Sequence, residues 1–478
     1  MVFNSFEFLF FLPLVWGLYW LLKGRLRIQN LLIVVASYVF YGWWDWRFLV
    51  LIAFTSAWSY VVGLIELRRW EERPSKFLLT VSLVVNLGIL GFFKYCGFFL
   101  DQAALLLECI GFQPNVPSLR VILPVGISFY TFQALSYTID VYRRQIRPTR
   151  DPVAFFAFIS FFPQLVAGPI ERATNLLPQF QMPRTFSYPD AVVGCRQMLW
   201  GLFKKMVVAD NCAIVVNRYL NMPGMDNGLM VLCCVFLFSI QIYCDFSGYS
   251  DIAIGCSRLF GVKLMRNFAF PYFARDIAEF WRRWHVSLTT WFRDYLYIPL
   301  GGSRCGRWRR VRNTFAIFLV SGLWHGANWT FVLWGAFHAI LFLPLLLGGR
   351  NRKYLGPVAE GRALPSALEL ALMVRTFLLA MAGWIIFRAT SVAEAGRWVA
   401  DIFNFRSYAP SEIFPHAGRV AFPLIGFMLF CEWINRREQF GFARYPRWTW
   451  LRWLVYFGLT TLIVLYAPGS QTFIYFQF

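Results

Sequence analysis

The chain carries four histidines, His285, His325, His338 and His416. Histidine is the side chain best suited to moving a proton near neutral pH. His325 closes the run Phe315-Ala-Ile-Phe-Leu-Val-Ser-Gly-Leu-Trp-His325. Gly326, Ala327 and Asn328 follow, and apolar sequence resumes at Trp329. His325 therefore stands at a break between two embedded helices. An ionisable group in such a place is costly and is usually kept for function. A core histidine bonded to a neighbouring carbonyl fits the same position. Gly322 and Gly326 leave room for backbone or substrate to come close.

His285 lies in Glu279-Phe-Trp-Arg-Arg-Trp-His285-Val-Ser-Leu-Thr-Thr-Trp-Phe-Arg293. Asp276 and Glu279 have the spacing of a helix-starting cap. Trp281, Trp284, Leu288, Trp291, Phe292 and Tyr295 then recur at helical spacing. This predicts an amphipathic helix, interfacial or lying against a bundle, with His285 on its aromatic side. From these residues alone, an interfacial histidine satisfied by headgroups or water is the favoured reading. His338, inside Trp334-Gly-Ala-Phe-His338, reads as a packing residue, and His416, after Pro415, as a loop residue.

Asp245-Phe-Ser-Gly-Tyr-Ser-Asp251 places two carboxylates and two serines in an apolar run. No glutamate stands at the twelfth position of a calcium loop, so a buried polar network is the better reading. The phosphate-loop, H-E-x-x-H and G-x-S-x-G patterns are absent, which leaves ATP-driven transport and zinc proteolysis without their parts. Ten cysteines include no C-x-x-C pair and mostly sit in apolar runs. They predict neither a disulfide framework nor a metal site.

The elements that must position these groups are membrane helices. Hydrophobic residues make up 58% of the 478, aromatics 20% and charged residues 15%. Mean hydropathy is +0.51. A soluble domain carries about 25% charged residues, so a large soluble domain is excluded, and so is disorder. The net charge of +21 is spread over short clusters between apolar runs, the pattern of cytoplasmic loops and not of a nucleic-acid surface.

Apolar runs fall at 5–22, 29–43, 47–65, 77–100, 120–142, 152–168, 190–220, 228–260, 313–325, 328–348, 366–388, 417–435 and 449–467. They predict an all-α polytopic bundle of 11 to 13 embedded helices, some re-entrant, in a single membrane domain spanning 1–478. The first run is followed by Lys23, Arg25 and Arg27 and reads as a retained span. Further basic clusters follow the third and fifth runs, at Arg68–Lys76 and Arg143–Arg150. This alternation puts the N-terminus outside and those loops in the cytoplasm. Arg304–Arg312, Arg350–Lys353 and Arg436–Arg447 are expected on the cytoplasmic side too.

The segment from Cys244 to Thr330 resembles the membrane-bound O-acyltransferase family, in a bacterial branch that includes polysaccharide O-acetylation proteins. The residues that carry the likeness are Asp245-Phe-Ser-Gly-Tyr-Ser-Asp251, Glu279-Phe-Trp-Arg-Arg-Trp-His285, Arg293-Asp-Tyr-Leu-Tyr297 and Gly322-Leu-Trp-His-Gly-Ala327. Similar stretches are Leu123–Tyr130, Ser136–Tyr142, Phe162–Ile170 and Lys204–Asp210. The resemblance implies a bundle with a central funnel or tunnel reaching a buried histidine. It makes His325 the catalytic base and His285 the second catalytic position. A thioester donor is already activated, so no ATP site is needed.

Trp324, Gly326, Asn328, Arg282, Arg283, Arg293, Asp245 and Asp251 are the candidate substrate-binding residues. Trp324 or the backbone near Gly326 would steady an oxyanion, and the arginines would meet coenzyme A or lipid phosphates. The implied donor is acetyl-coenzyme A, with no tightly bound cofactor and no metal. The implied partners are membrane lipid and a cell-envelope polysaccharide or a secreted SGNH-like acetyltransferase, in a bacterial inner membrane. The rival readings are a polysaccharide-export channel and a non-catalytic scaffold for a secreted acetyltransferase. Against a channel stand the absent inverted repeat and the absence of charged pairs on successive helices.

Overall fold

A computed structural model describes residues 1–112, 122–220, 222, 227–409, 420–444 and 446–467. His416 lies outside the described residues. The chain forms two compact units: Met1–Tyr188 with Ser257–Leu264, and Pro189–Cys256 with Met265–Phe478. The described residues contain helices and no strand.

In the first unit the helices are α1 (Phe6–Leu21), α2 (Leu26–Gly42), α3 (Leu49–Arg68), α4 (Lys76–Cys109), α5 (Ile127–Tyr142), α6 (Pro152–Ser160), α7 (Phe162–Leu165) and α8 (Ala173–Gln181). Ser5, Ser75 and Asp151 cap α1, α4 and α6 by accepting backbone N–H groups. Polar side chains inside this unit serve backbone carbonyls. Gln29 Nε2 donates to Tyr19 O at 2.9 Å, Tyr41 Oη to Val125 O at 2.8 Å and Gln133 Nε2 to Phe158 O at 2.8 Å. Hydrocarbon offers no water for such groups, so the protein must satisfy them itself.

The second unit holds α9 (Tyr188–Leu202), α10 (Asp210–Leu220), α11 (Gly228–Leu259), α12 (Ile277–Arg283), α13 (Val286–Phe292), α14 (Arg307–His325), α15 (Trp329–Leu347), α16 (Ala367–Arg388), α17 (Val392–Phe403), α18 (Phe422–Ile434) and α19 (Thr449–Tyr466). A π-helical segment, Phe203–Ala209, joins α9 to α10.

Six helices are long and apolar enough to cross a membrane: Trp46–Arg68, α4, α11, α15, α16 and α19, among the described residues. Three shorter apolar helices are α1, α2 and α18. Their bounds lie within a few residues of the apolar runs, apart from α4, which continues to Cys109, and α18, which begins at Phe422. The other runs fold as shorter or more polar pieces. The run at 152–168 splits at Phe161, whose φ of −49° and ψ of 107° end α6 before Pro163. The run at 190–220 is divided by the π-helical segment.

Two glycine contacts draw helices of the second unit together. A Cβ on Gly322 of α14 would strike the Phe331 carbonyl of α15, and one on Gly335 would strike the Phe318 carbonyl. Small residues let backbones approach in the absence of a hydrophobic driving force between helices. The room at Gly322 is therefore filled by the neighbouring helix, and a Cβ on Gly326 would enter the Phe331 ring. Of the two occupants the sequence allows, backbone or substrate, Gly322 is met by the Phe331 backbone.

Candidate active site

His325 is the last residue of α14 and is buried. Gly326 turns the chain into extended backbone, and Asn328 starts α15 by accepting the Thr330 N–H at 3.0 Å. The helix therefore ends where its final side chain is walled by rings. Trp334 lies 5.1 Å from the His325 ring and Phe387 lies 5.4 Å away, both edge-on. Trp324 is 5.0 Å away. The walls come from α14, α15 and α16, so three helices fix one imidazole.

The structure corrects the reading of His285. It does not lie on the face of a continuous amphipathic helix. The chain breaks between α12 and α13, and His285 occupies the break with φ +42° and ψ 54°, in the left-handed region. Asp276 caps α12 as its spacing suggests, accepting the Glu279 N–H at 2.7 Å. At the break the Val286 N–H bonds the backbone carbonyl of Asn267 at 2.8 Å. His285 is not interfacial either, since only 1% of it is exposed.

The His285 ring packs edge-on to Phe246 at 4.6 Å and lies 5.9 Å from Trp324. Trp324 is thus a ring neighbour of both histidines. Nδ1 of His285 is 3.0 Å from Asn267 Oδ1, and Nε2 is buried with no hydrogen-bond partner among the described residues. Burial pushes the imidazole down to about 3, so the ring is neutral at any ordinary pH. A neutral ring can accept a proton or a hydrogen bond at its bare nitrogen. His338 of α15 is fully buried against Trp281 at 4.9 Å and Trp334 at 5.0 Å, a packing position in the wall behind the site.

Asp245 and Asp251 sit in a buried ion-pair network. Lys205 Nζ reaches both Asp245 and Asp210 at 2.7 Å. Lys204 Nζ reaches Asp251 at 2.6 Å and donates to Ser247 at 2.9 Å. Gln197 donates to Asp251 at 2.8 Å, and Tyr243 Oη donates to Glu432 at 2.8 Å. A cavity of about 10 Å³ beside Lys204, Asp251 and Arg266 is bounded on another side by Asn267.

The sequence profile of the membrane-bound O-acyltransferase family matches residues 75–352. The chain belongs to this family. It is 41% identical to a probable alginate O-acetylase of Pseudomonas putida, covering 86% of this chain and 82% of that protein. It is 41% identical to the probable alginate O-acetylase of Pseudomonas aeruginosa, over 86% of this chain and 77% of the relative. It is 33% identical to the peptidoglycan O-acetyltransferase of Helicobacter pylori, over 83% and 78%. The protein is an O-acyltransferase and a multi-pass membrane protein.

Within this acyltransferase the remaining candidate residues fall into distinct settings. Arg282 donates to the carbonyls of Asn351 and, at 2.7 Å, Tyr354, which pins the loop after α15. Arg283 pairs with Glu279 at 2.6 Å and donates to Ala269 O at 3.3 Å. Arg293 pairs with Asp294 at 2.6 Å and keeps a half-exposed side chain. Asn328, besides capping α15, donates to Thr390 O at 2.9 Å. Trp324 alone of the substrate candidates touches both histidine rings.

Sequence reasoning did not single out Asn267, Glu432 or Phe387. Asn267 is a lone amide in Met265-Arg-Asn-Phe-Ala-Phe-Pro271, and its partners lie 17 to 20 residues away. The useful signal was its type: an amide in an otherwise apolar stretch has to be bonded if buried.

Proposed function

We propose that this protein transfers acetyl groups from cytoplasmic acetyl-coenzyme A toward a polysaccharide outside a bacterial inner membrane, directly or through a secreted SGNH-like acetyltransferase. The observation that carries the reading is the pair of buried imidazoles, His325 and His285, that share Trp324 as a ring neighbour. The relatives' names supply the acyl group and the class of acceptor. A funnel or tunnel admits the two substrates to this pair.

His325 takes the proton as the acceptor hydroxyl attacks the thioester carbonyl. A C–O bond forms, the C–S bond breaks, and the coenzyme A thiolate leaves and recovers the proton. His285, neutral, receives a hydrogen bond at Nε2 and orients the hydroxyl. The Trp324 indole or the Gly326 N–H steadies the oxyanion. Arg293 meets a donor phosphate with its open side chain. Asp245 and Asp251, already paired with lysines, hold α11 in place.

The test uses the full chain in proteoliposomes, with radiolabelled acetyl-coenzyme A and alginate oligosaccharide. Label is expected in the oligosaccharide, or in an added secreted acetyltransferase. Label in neither would overturn the reading. In cells, loss of polymer secretion with the gene would favour an export channel instead.

A further inference from the structure

We infer that Asn267 is the positioning residue of His285, fixing its tautomer so that Nε2 faces the acceptor as a bare lone pair. The inference rests on the proposed role of His285 and adds the residue that creates it.

The argument begins with the orientation of the Asn267 amide. The Ser287 backbone N–H, which can only donate, points at Oδ1 from 3.4 Å. Ser287 Oγ donates to the same oxygen at 2.9 Å. The other end, Nδ2, donates to Ser250 Oγ on α11 at 3.0 Å. An amide held at both ends in this way has its oxygen toward His285. That oxygen carries no hydrogen, and His285 Nδ1 lies 3.0 Å from it. Nδ1 must therefore carry the proton, because two lone pairs would repel at that distance. Ser287 Oγ also lies 3.4 Å from Nδ1. Its single hydrogen is already committed to the nearer Oδ1.

With the proton on Nδ1, Nε2 of the neutral ring is an acceptor. It is buried and has no hydrogen-bond partner among the described residues. Such an atom costs stability unless something binds there. The backbone carbonyl of Asn267 also takes the Val286 N–H, next to the left-handed turn at His285. One residue thus sets both the direction of the imidazole and the position of its hydrogen.

The charged groups beside this contact are Asp251 and Arg266. Asp251 on α11 pairs with Lys204, and Arg266 Nε donates to Phe268 O at 2.6 Å. From α14 the neighbour is the neutral ring of Trp324, which also packs against His325. The amide of Asn267 is the polar contact of Nδ1 that decides the tautomer.

The experiment exploits the small number of histidines. The full chain, labelled with ¹⁵N in histidine only, is placed in bilayers and measured by solid-state NMR. The His285 signals are assigned by their disappearance in His285→Gln. Wild type should show Nδ1 protonated and Nε2 bare. Asn267→Leu should populate the opposite tautomer. Asn267→Asp keeps an oxygen acceptor and should retain the wild-type proton on Nδ1. A wild-type His285 protonated at Nε2, or an unchanged tautomer in Asn267→Leu, would overturn the inference. If Asn267→Leu does not fold, Asn267→Asp decides: loss of the Nδ1 proton there has the same overturning force. These readouts need no activity, so they stand apart from failure of the acetyl-transfer reading. In the transfer assay, Asn267→Leu should lose tenfold or more in kcat/KM for the acceptor, with the donor KM within twofold of wild type. Wild-type acceptor kinetics in a folded Asn267→Leu would also overturn the inference.

Discussion

At the scale of residues, His325 and His285 make different demands. His325 ends a regular helix and is walled by Trp324, Trp334 and Phe387. Replacing it with alanine leaves the α14 backbone unstrained. His325→Ala should reach normal membrane abundance and lose O-acetylation, with polymer secretion continuing; full acetylation would remove His325 as the base. His285 sits at φ +42°, where asparagine is tolerated better than alanine. His285→Asn should therefore fold and keep partial activity, since its amide can still accept a hydrogen bond. His285→Ala should lose activity and some stability, chiefly from emptying a buried site, since His285 already carries most of the left-handed strain. Equal, near-wild-type transfer by both variants would make His285 a packing residue. Both histidines are legible in the sequence, His325 from its place at a helix break and His285 through the family resemblance. The setting of His285 is not legible, because the partners of its ring and of the following backbone N–H lie at Asn267, eighteen residues earlier. Helical periodicity continues through the kink and conceals it.

At the scale of elements, the site is a product of how closely α14 and α15 pack. Gly322 and Gly335 touch backbone carbonyls of the opposite helix, and a side chain there cannot be relieved by a rotamer change. Gly322→Leu should cost at least about 1–3 kcal/mol, the usual range for overpacking, and move the rings around His325. Gly91, in the middle of α4, has nothing within 4 Å of a Cβ. Gly91→Ala should be neutral or stabilising by up to about 1 kcal/mol through helix propensity. Thermal unfolding in detergent checks the contrast; equal melting temperatures for the two variants would contradict the packing account. The lysine network offers a second case. Lys205→Met leaves Asp210 and Asp245 facing each other in a buried place. Breaking such a pair from one side costs about 3–5 kcal/mol, so folded yield should fall sharply, and near-normal yield would mean that the carboxylates find other partners. The apolar runs made most long helices legible, because a span must be apolar along its whole length. Short helices such as α6 and α7, and the π-helical segment, were not legible, since local breaks hardly alter mean hydropathy.

At the scale of the whole molecule, the remaining question is which side of the membrane reaches His325, and α14 with α15 frames it. The Gly322–Phe331 and Gly335–Phe318 contacts make the two helices an antiparallel hairpin. Its open end carries Arg304–Arg312 before α14 and Arg350–Lys353 after α15. Its turn is Gly326–Asn328, directly beside His325. The apolar stretch from Arg312 to His325 is thirteen residues, roughly 20 Å of helix at 1.5 Å per residue. A hydrocarbon core is about 30 Å thick, so His325 lies beyond the midpoint from the basic end. The turn side is polar as well: Asn328 donates to Thr390 just past the end of α16, and Thr390 donates to Glu394. On the proposed orientation, with the basic clusters in the cytoplasm, a donor entering from the basic side would have a long reach and an acceptor arriving from the other side a short one. Single cysteines in a cysteine-free background test it with an impermeant thiol reagent. Cysteines at Arg309 and Arg352 should both react from the cytoplasmic face. A cysteine at Ala327 should react mainly from the outside, and more slowly, being half-buried. Opposite faces for Arg309 and Arg352 would break the hairpin assignment. Labelling of Ala327 only from the Arg309 face would make the hairpin re-entrant, and His325 would then be open to the donor but closed to an acceptor outside.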